Sequence, residues 1–520
     1  MKLIQLEQAV QCVKDEDVVV VSGFLLQTTP SEILTELGER YKKESSPKNL
    51  TVLQAAGIGD NKNEGIYEIS HLGMIKRYIT GHFANNQRLI QQANSNAIEA
   101  YNFPQGVISK MYRNIASGFY GEITKVGLKT FCDPRLEGGK INDAATENLV
   151  ELLEIGGEEY LYYKAPKIDV AIIRGTTADE QGNITFEEES CTVDAREIAM
   201  ATKASKGKVI VQVKYMADSK SINRNDVVIP GIFVDYVVLS KSPETKHRQT
   251  PANFYSPAIA GQSRVSIDVS DSYPLNERKV IARRAAMELR CGDVVNLGIG
   301  IPEIIGTVAH EEGFGEDIIL TLEDGMIGGT PLGGADFGSS VNAMASLPMN
   351  QQFDFYNGGG LDCAFLGFAE VSAKGDINVS RFGDRIAGCG GFIDISQATK
   401  DIYFVGTLTA GGLKEYVEDG RLVIDREGKR KKFLKETEQI TYSADFGLES
   451  GQNVTFITDR CVMKLSEKGL VVTEVAPGID IGRDIIDQME FEPIVAEDVK
   501  QMDPRIFKKE LVHMKRERTI

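Results

Sequence analysis

Residues 168–186 read IDVAIIRGTTADEQGNITF, and residues 361–379 read LDCAFLGFAEVSAKGDINV, so two distant stretches of this chain follow one pattern. Asp169 aligns with Asp362 at a spacing of 193 residues (362 − 169). The registration continues without a gap to an apolar run, which reads Val-Ile-Val in the first copy and Ile-Tyr-Phe in the second. The chain therefore contains an internal repeat.

A second match lies upstream of each copy. DVVVVSG at residues 17–23 is followed by Pro30, and DVVNLG at residues 293–298 is followed by Pro302. These segments are 276 residues apart (293 − 17), so the first half carries extra residues between its two matching segments. Two related domains, the first one larger, account for both spacings.

Short apolar and β-branched runs alternate with helical patterns in both halves of the chain. Such strands between helices are typical of parallel sheets that are covered on both faces. The predicted fold class is α/β, with two related domains whose parallel-rich sheets are flanked by helices. The predicted strands are Val18–Val21, Leu50–Leu53, Val170–Ile173, Val209–Val213, Tyr236–Leu239, Val294–Leu297, Ile318–Leu322, Cys363–Leu366, Ile402–Val405 and Val454–Ile457.

The 520 residues exceed the ~100–200 residues of a typical domain. We expect a first domain over residues 1–240, a connection over 241–275 and a second domain over 276–520. The connecting stretch begins with a polar segment, residues 241–264, that contains three prolines and shows no period. A helical pattern from Asn276 to Leu289 then begins the second domain.

The formal net charge is −17, from 58 basic and 75 acidic residues. This average field would repel a nucleic-acid backbone, so we do not expect DNA or RNA as a partner. The N-terminal segment is acidic rather than basic, which does not fit a signal peptide, and no run of ~18 apolar residues predicts a membrane span. We therefore expect a cytoplasmic protein without a membrane partner.

The seven cysteines are scattered and form no CxxC pair, so the sequence predicts neither a disulfide framework nor a zinc site. The five histidines also lack the spacing of metal ligands. We expect no bound metal.

The segment IILTLEDGMIGG, residues 318–329, contains the first candidate for chemistry. A predicted strand runs into Glu323 and a glycine-rich turn, and open α/β sheets bind ligands at the carboxyl ends of their strands. A glutamate after a strand is also commonly a solvated residue that enters a turn. The pattern alone leaves both interpretations open.

Gly298 and Gly300 lie between a predicted strand and a predicted helix. Loops of this kind bind phosphate or pyrophosphate through backbone N–H groups. The third glycine of the dinucleotide fingerprint and the lysine of the P-loop are both missing. A tight strand-to-helix turn is an equally good interpretation.

A second glycine loop contains Gly388, Gly390 and Gly391. Its N–H groups could form an oxyanion hole for a thioester carbonyl, although a packing turn is the commoner use of such a loop. Gly359 presents the same ambiguity. Cys389 has no neighbouring histidine along the chain to activate its thiol, so we give a thiol nucleophile little weight.

Gln105 stands in the segment FPQG, residues 103–106. A glutamine amide can hydrogen-bond a carboxylate or a carbonyl group. From the sequence alone, a surface turn with a stacked aromatic ring is the favoured interpretation of this segment.

With these residues identified, the chain resembles the family I CoA-transferases, and among them most of all the single-chain acetate/propionate and acetoacetate CoA-transferases. The resemblance runs over nearly the whole chain, and it is the order of the motifs that makes it specific. The motifs are FPQGVISKMYRNIASG, GLKTFCDPRLEGGKIN, KIDVAIIRGTTADEQGNIT, LGIGIP, LTLEDGMIGG, FYNGGGLDCAFLGFAEV and GCGGFIDI.

The resemblance implies a role for each candidate residue. Glu323 matches the nucleophilic glutamate, Gly390 is the candidate oxyanion donor, and Gln105 matches a contact of the acid substrate. The implied contacts of CoA are Gly298, Gly300, Gly359, Gly388 and Gly391. The loop at residues 22–27 is poorer in glycine than in relatives, which leaves the preferred acyl chain open.

The resemblance further implies transfer of CoA from a short-chain acyl-CoA to a free acid of the acetate, propionate or acetoacetate type. The implied route is ping-pong through a glutamyl-CoA thioester, with CoA as substrate and covalent intermediate and no permanently bound cofactor. An ordinary glutamate is ionised near neutral pH, so we expect no general base. A homodimer or homotetramer is the implied assembly.

Three alternatives remain. An acyl-CoA hydrolase on the same scaffold would admit water to the thioester. A nicotinamide-dependent dehydrogenase would use Gly298–Pro302 as its phosphate loop, but the third glycine of the fingerprint is missing. A non-catalytic CoA-binding protein would retain its function without Glu323.

Overall fold

The structure is a computed structural model that describes residues 2–266 and 273–514. The chain divides into two compact units, each built from distant segments. The first unit is Met1–Val265, Leu322–Asp354 and Gly383–Asp394, and the second is Ser266–Thr321, Phe355–Phe382 and Ile395–Ile520. The predicted domain limits at residues 240 and 275 concern the two repeated halves and stay a prediction. Residues 267–272 of the predicted connection lie outside the described residues.

The first unit is built around a parallel sheet that has eight strands within the described residues. The three central strands are almost entirely apolar, because both faces of a parallel sheet are covered. The strand order is Lys2–Leu3, Tyr236–Leu239, Lys208–Val213, Val170–Arg174, Val18–Val21, Leu50–Gln54, Ile75–Thr80 and Glu99–Asn102.

Smaller strands complete the first unit. Three of them form an antiparallel sheet in the order Gly121–Thr124, Glu158–Lys164 and Val150–Ile155. The remaining short strands are Thr177–Asp179, Ile184–Thr185, Tyr215–Ala217, Met326–Ile327, Thr330–Pro331, Ser340–Val341, Ala345–Ser346 and Arg385–Ile386.

The second unit contains a mixed sheet. Its first five strands are parallel and the next two are antiparallel, and the last strand is parallel to its neighbour. The order is Ile319–Thr321, Val294–Leu297, Cys363–Gly367, Asp401–Val405, Asn453–Ile457, Cys461–Ser466, Gly469–Val475 and Ile494–Gln501. The other strands are Glu370–Ser372, Ile377–Asn378, Arg381–Phe382, Thr409–Ala410, Lys414–Glu418, Arg421–Arg426, Arg430–Lys431 and Phe433–Leu434.

The helices bury one apolar face and expose the other, as amphipathic helices do. In Ser31–Glu44, for example, Ile33, Leu34 and Leu37 are fully buried. The α-helices are Leu6–Val10, Ser31–Glu44, Gln87–Asn94, Gln105–Ala116, Ala195–Ala204, Pro243–Lys246, Glu277–Ala286, Ile301–Glu311, Met349–Asn357, Phe392–Ala398 and Ala444–Glu449.

The internal repeat has a structural cause. The Val18 N–H donates to the Asp169 carboxylate at 2.9 Å, and the Val294 N–H donates to the Asp362 carboxylate at 2.8 Å. Each aspartate therefore satisfies the first N–H of the neighbouring parallel strand. Both matching segments of the repeat are needed for this one contact, which explains why they recur together.

The ten predicted strands are all present, and each end differs by no more than one residue. The predicted α/β fold class is confirmed. The strands Ile75–Thr80 and Glu99–Asn102 were not predicted, because they include charged residues near the edge of the sheet. Arg77 on the first pairs there with Glu99 on the second.

Candidate active site

Glu323 lies in the first unit, two residues beyond the strand Ile319–Thr321. The Leu322 N–H donates to the Met326 carbonyl at 2.9 Å, which closes a tight turn around Glu323. Gly325 is required in this turn, since its φ is +117° and a Cβ would stand 1.9 Å from the Leu347 carbonyl oxygen. The turn fixes the backbone that carries the Glu323 side chain.

The loop Gly388–Gly391 lies in the same unit, against the carboxyl end of its parallel sheet. The Cys389 N–H donates to the Asn102 side-chain oxygen at 3.0 Å, and the Asn102 amide donates to the carbonyls of Thr80 and Gly81. Asn102 therefore ties the loop to the ends of two neighbouring strands.

Gly391 is the loop residue that contacts the predicted nucleophile. The Glu323 carboxylate lies against its backbone, and the Gly391 N–H lowers the Glu323 pKa. A Cβ at Gly391 would lie 2.8 Å from the carboxylate carbon of Glu323, so only glycine allows this approach. The Gly390 N–H instead donates to the Gly81 carbonyl at 2.7 Å. The predicted oxyanion role of Gly390 stays a prediction, and its N–H is engaged in this structure.

The helix Gln105–Ala116 begins against the same loop. The Gln105 N–H donates to the Gly390 carbonyl at 2.8 Å, and the Gly106 N–H donates to Asp394 at 3.0 Å. The buried Gln105 side chain lies 3.2 Å from the Met349 sulfur. Gln105 is therefore next to the loop that contacts Glu323 and does not occupy the surface turn that the sequence favoured.

The electrostatics of Glu323 differ from those of an ordinary glutamate. Burial raises its pKa, the charge of Asp394 raises it further, and the Gly391 N–H lowers it in part, for a final pKa of about 7. The sequence had suggested a carboxylate that is fully ionised at neutral pH. In the structure a substantial fraction is protonated there, because desolvation and Asp394 both disfavour the charged form.

A further carboxyl group, Asp324, follows the nucleophile candidate and is fully buried. Burial, with the Glu323 charge as a lesser cause, raises the pKa of Asp324 to about 7, opposed by the Met326 N–H and the Cys191 thiol. No hydrogen bond of normal geometry reaches its oxygens from the described part of the chain. The sequence did not identify Asp324, Asp394 and Asn102 as site residues. Their roles depend on contacts with residues that are distant along the chain.

The other predicted CoA contacts lie in the second unit. Gly298 and Gly300 follow the strand Val294–Leu297, at its carboxyl end. Gly300 has a φ of +92° and donates its N–H to Glu303 at 2.9 Å, so a carboxylate already caps this helix. Gly359 precedes the strand Cys363–Gly367 and so lies at the opposite, amino edge of the same sheet. These three contacts stay predictions.

No group of His, Cys, Asp and Glu side chains within residues 2–266 and 273–514 is arranged to hold a metal ion. The helices of the same described ranges are too short or too polar to span a bilayer.

Comparisons with known proteins agree with this α/β framework. The coenzyme A transferase family model matches residues 3–240. The chain is 44% identical to a caffeate CoA-transferase of Acetobacterium woodii, covering 97% of both proteins. It is 42% identical to the acetate CoA-transferase YdiF of Escherichia coli, covering 97% of this chain and 95% of that protein.

Solved structures give the same result. The apoenzyme of the acyl-CoA transferase YdiF from Escherichia coli matches with a TM-score of 0.94 at 40% identity, covering 99% of this chain and 98% of that chain. A thioester complex of YdiF with CoA matches with a TM-score of 0.93 over the same shares. The chain belongs to the coenzyme A transferase family and is a CoA-transferase.

Proposed function

We propose that this enzyme transfers CoA from a short-chain acyl-CoA to a free carboxylic acid through a covalent Glu323–CoA thioester. The observation that carries the proposal is the contact between the Glu323 carboxylate and the Gly391 N–H in a largely desolvated site. The YdiF complex, described as a thioester with CoA, supports the same type of intermediate here.

In the first half-reaction, a Glu323 oxygen attacks the thioester carbonyl carbon of the acyl-CoA. A C–O bond forms, the C–S bond breaks, and the CoA thiolate leaves with the electron pair. The thiolate then attacks the Glu323 carbonyl carbon of the resulting anhydride. The acid departs with one oxygen that came from Glu323, and the Glu323–CoA thioester remains.

In the second half-reaction, an acceptor carboxylate attacks the Glu323–CoA carbonyl carbon and expels the thiolate. The thiolate attacks the acyl carbonyl of the new anhydride, which releases the new acyl-CoA and regenerates the Glu323 carboxylate. The acyl group stays activated throughout. Both half-reactions are therefore balanced without ATP or a redox partner.

The environment of Glu323 suits this chemistry in two ways. Desolvation and the negative Asp394 raise its pKa and hence its basicity, which favours nucleophilic attack by the ionised form. The Gly391 N–H orients one carboxylate oxygen and can follow the negative charge on the glutamyl carbonyl when thiolate attacks. Transfer should increase as the pH rises through about 7, because only the carboxylate attacks.

We further propose acids of the acetate, propionate or acetoacetate type as substrates. An acetate CoA-transferase is among the full-length relatives, while another acts on caffeate, so the size of the acyl group is the open variable. The buried Gln105 and Met349 beside the glycine loop are the candidate walls. A cytoplasmic homodimer or homotetramer is part of the same proposal.

The test is intact-protein mass spectrometry after incubation with acetyl-CoA, propionyl-CoA or acetoacetyl-CoA. The expected result is a mass gain of one CoA less one water, which borohydride removes. Glu323→Ala should show no gain, and Glu316→Ala, at an exposed glutamate before the same strand, should behave as the parent. Normal turnover without any adduct would reject the proposal.

Product analysis separates transfer from hydrolysis. With an acceptor acid present, the enzyme should convert it to its CoA ester at the rate at which donor is consumed. Release of free CoA at the same rate with and without acceptor would identify a hydrolase instead.

A further inference from the structure

The His82 imidazole lies in the first unit, where its Nδ1 has no hydrogen-bond partner within the described residues. That atom is buried, while the residue as a whole is half-buried. Burial lowers the pKa of His82 to about 4, so the ring is neutral at physiological pH. A neutral imidazole carries one N–H donor and one acceptor nitrogen. Buried polar groups are normally satisfied, so the unpaired Nδ1 calls for an explanation.

His82 is placed beside the glycine loop. It stands two residues beyond the strand Ile75–Thr80, and the next residue, Phe83, donates its N–H to the Ala387 carbonyl at 2.8 Å. A Cβ at Gly388 would lie 3.0 Å from the His82 Cα. The backbone of His82 is therefore anchored to the start of the loop that reaches Glu323.

The ring itself is bordered by glycines. A Cβ at Gly57 would lie 2.9 Å from the His82 Nδ1, and a Cβ at Gly390 would lie 3.9 Å from both the His82 Cδ2 and the Gln105 Oε1. His82 and Gln105 thus approach the same side of Gly390. These two side chains are the nearest to Gly390, whose own N–H already donates to the Gly81 carbonyl.

We propose that His82 is a catalytic residue that donates its ring N–H to the carbonyl oxygen of the acyl group under attack. The proposal rests on the proposed function. When a Glu323 oxygen bonds to the acyl carbon, the π-electron pair moves to the carbonyl oxygen, and this oxyanion accepts the His82 N–H. The C–S bond then breaks and the thiolate leaves. No proton is transferred from His82.

The backbone donors of the loop are already engaged, which favours a side-chain donor, His82 or the Gln105 amide beside it. The Gly390 N–H is bonded to the Gly81 carbonyl, and the Gly391 N–H faces the Glu323 carboxylate. Neither is free for the acyl oxygen. A neutral donor also suits the site, since an imidazolium would neutralise the nearby carboxylate nucleophile that must attack.

The test uses the full chain with His82→Phe, which keeps an aromatic ring, and His82→Asn, which keeps an N–H donor. We expect the phenylalanine variant to lose kcat by roughly 100- to 1000-fold, the effect of removing one oxyanion donor, with KM nearly unchanged. We expect the kcat of the asparagine variant to be at least about 10-fold higher than that of the phenylalanine variant. The thermal midpoint of His82→Phe should equal or exceed that of the parent, because an unpaired buried polar group is removed.

His71→Phe is the matched control, since His71 has a buried, unpaired Nε2 but stacks on Tyr41 away from the glycine loop. It should keep the parent kcat. A His82→Phe enzyme within a few-fold of the parent kcat would overturn the proposal. Equal losses in both His82 variants together with lowered thermal midpoints would also overturn it, because they indicate a structural role.

Two further measurements distinguish a failure of the His82 proposal from a failure of Glu323 as the proposed nucleophile. His82→Phe should lose rate equally with acetyl-CoA and acetoacetyl-CoA, and a loss confined to acetoacetyl-CoA would place His82 on the substituent oxygen and overturn the proposal. His82→Phe should form the CoA adduct completely but slowly. If the parent forms no adduct while His82→Phe still loses kcat, Glu323 is rejected as nucleophile and the His82 contact stands.

Discussion

The two halves of the chain present different residues at one equivalent position. The strand Val18–Val21 pairs in parallel with Leu50–Gln54, and Val294–Leu297 pairs in parallel with Ile319–Thr321. Val18 faces Thr51 and Val294 faces Ile319, so counting four residues onward gives Ala55 in the first half and Glu323 in the second.

The side chains at Ala55 and Glu323 differ in chemistry and in contacts. Ala55 is buried and accepts the Gly81 N–H through its carbonyl at 3.1 Å, whereas Glu323 places a carboxylate against Gly391. The repeated framework therefore determines where a strand ends, and a single side chain determines whether that end carries the proposed nucleophile. The first half contributes His82 and Gln105 at neighbouring strand ends instead.

The largest expected effect comes from making the two positions alike. Glu323→Ala gives the second half the residue of the first, and we expect CoA transfer to fall by roughly 10⁴-fold or more, as for loss of a covalent nucleophile. Adding Ala55→Glu should not restore transfer, because the contacts with Gly391 and Asp394 belong to Glu323 alone. Steady-state rates and adduct formation check both variants.

The second effect concerns the approach of the loop. Gly391→Ala would place a Cβ 2.8 Å from the Glu323 carboxylate carbon, and we expect kcat to fall roughly 100-fold because the nucleophile is displaced. Gly306→Ala is the matched control, since its Cβ would have no neighbour closer than 3.4 Å. Unchanged kcat in Gly391→Ala would contradict the assigned contact.

Asp394 supplies the third comparison, since its charge raises the pKa of Glu323. Asp394→Asn retains an oxygen for the Gly106 N–H but removes the negative charge that raises the Glu323 pKa. The acidic limb of the kcat/KM profile should therefore move to lower pH. Asp354→Asn, at an exposed aspartate, should leave the profile in place. An unmoved limb in Asp394→Asn would limit Asp394 to a structural role.

The pH dependence of stability provides a fourth test. The folded-state pKa of Glu323 is about 7, above an unfolded value of about 4.5. Folded protein binds the extra proton between these values, so this group lowers the free energy of unfolding as pH rises through that window. Glu323→Ala should therefore be relatively more stable at pH 8 than at pH 4, by up to about 3 kcal/mol. Urea denaturation measures this difference, and a pH-independent effect would contradict the raised pKa.

The smallest expected effect is a loss of stability when either aspartate of the repeat, Asp169 or Asp362, is replaced. Asp169→Ala and Asp362→Ala each remove a charged acceptor from one strand N–H, so each should cost about 1–2 kcal/mol of unfolding free energy. Activity should be nearly unchanged in both. A large cost in only one variant would show that the two contacts are not equivalent.

The sequence predicted the framework well because its signals are local. Apolar runs marked the central strands, and the repeat marked Asp169 and Asp362, whose equivalent contacts the structure contains. Glu323 was identifiable because a glutamate followed by glycines ends a buried strand. Resemblance to a family then gave it a role that periodicity could not.

The remainder of the site depends on contacts between distant segments. Asn102 ends a strand near a charged edge, and nothing local indicates that it holds the loop at Cys389, 287 residues away. The oxyanion role of Gly390 stays a prediction, and nothing local indicated that its N–H donates to the Gly81 carbonyl. His82 has no local motif at all, since its unpaired Nδ1 is recognisable only when the surrounding residues are in place.

The passage of oxygen through Glu323 tests the central claim most directly. The enzyme is incubated with acyl-CoA and a carboxylic acid labelled with oxygen-18, then digested, and the peptide that contains Glu323 is weighed. We predict that the label enters the Glu323 side chain, only when the CoA donor is present, because the acid leaves one oxygen there in each turnover. Continued turnover with an unlabelled Glu323 peptide would contradict the account.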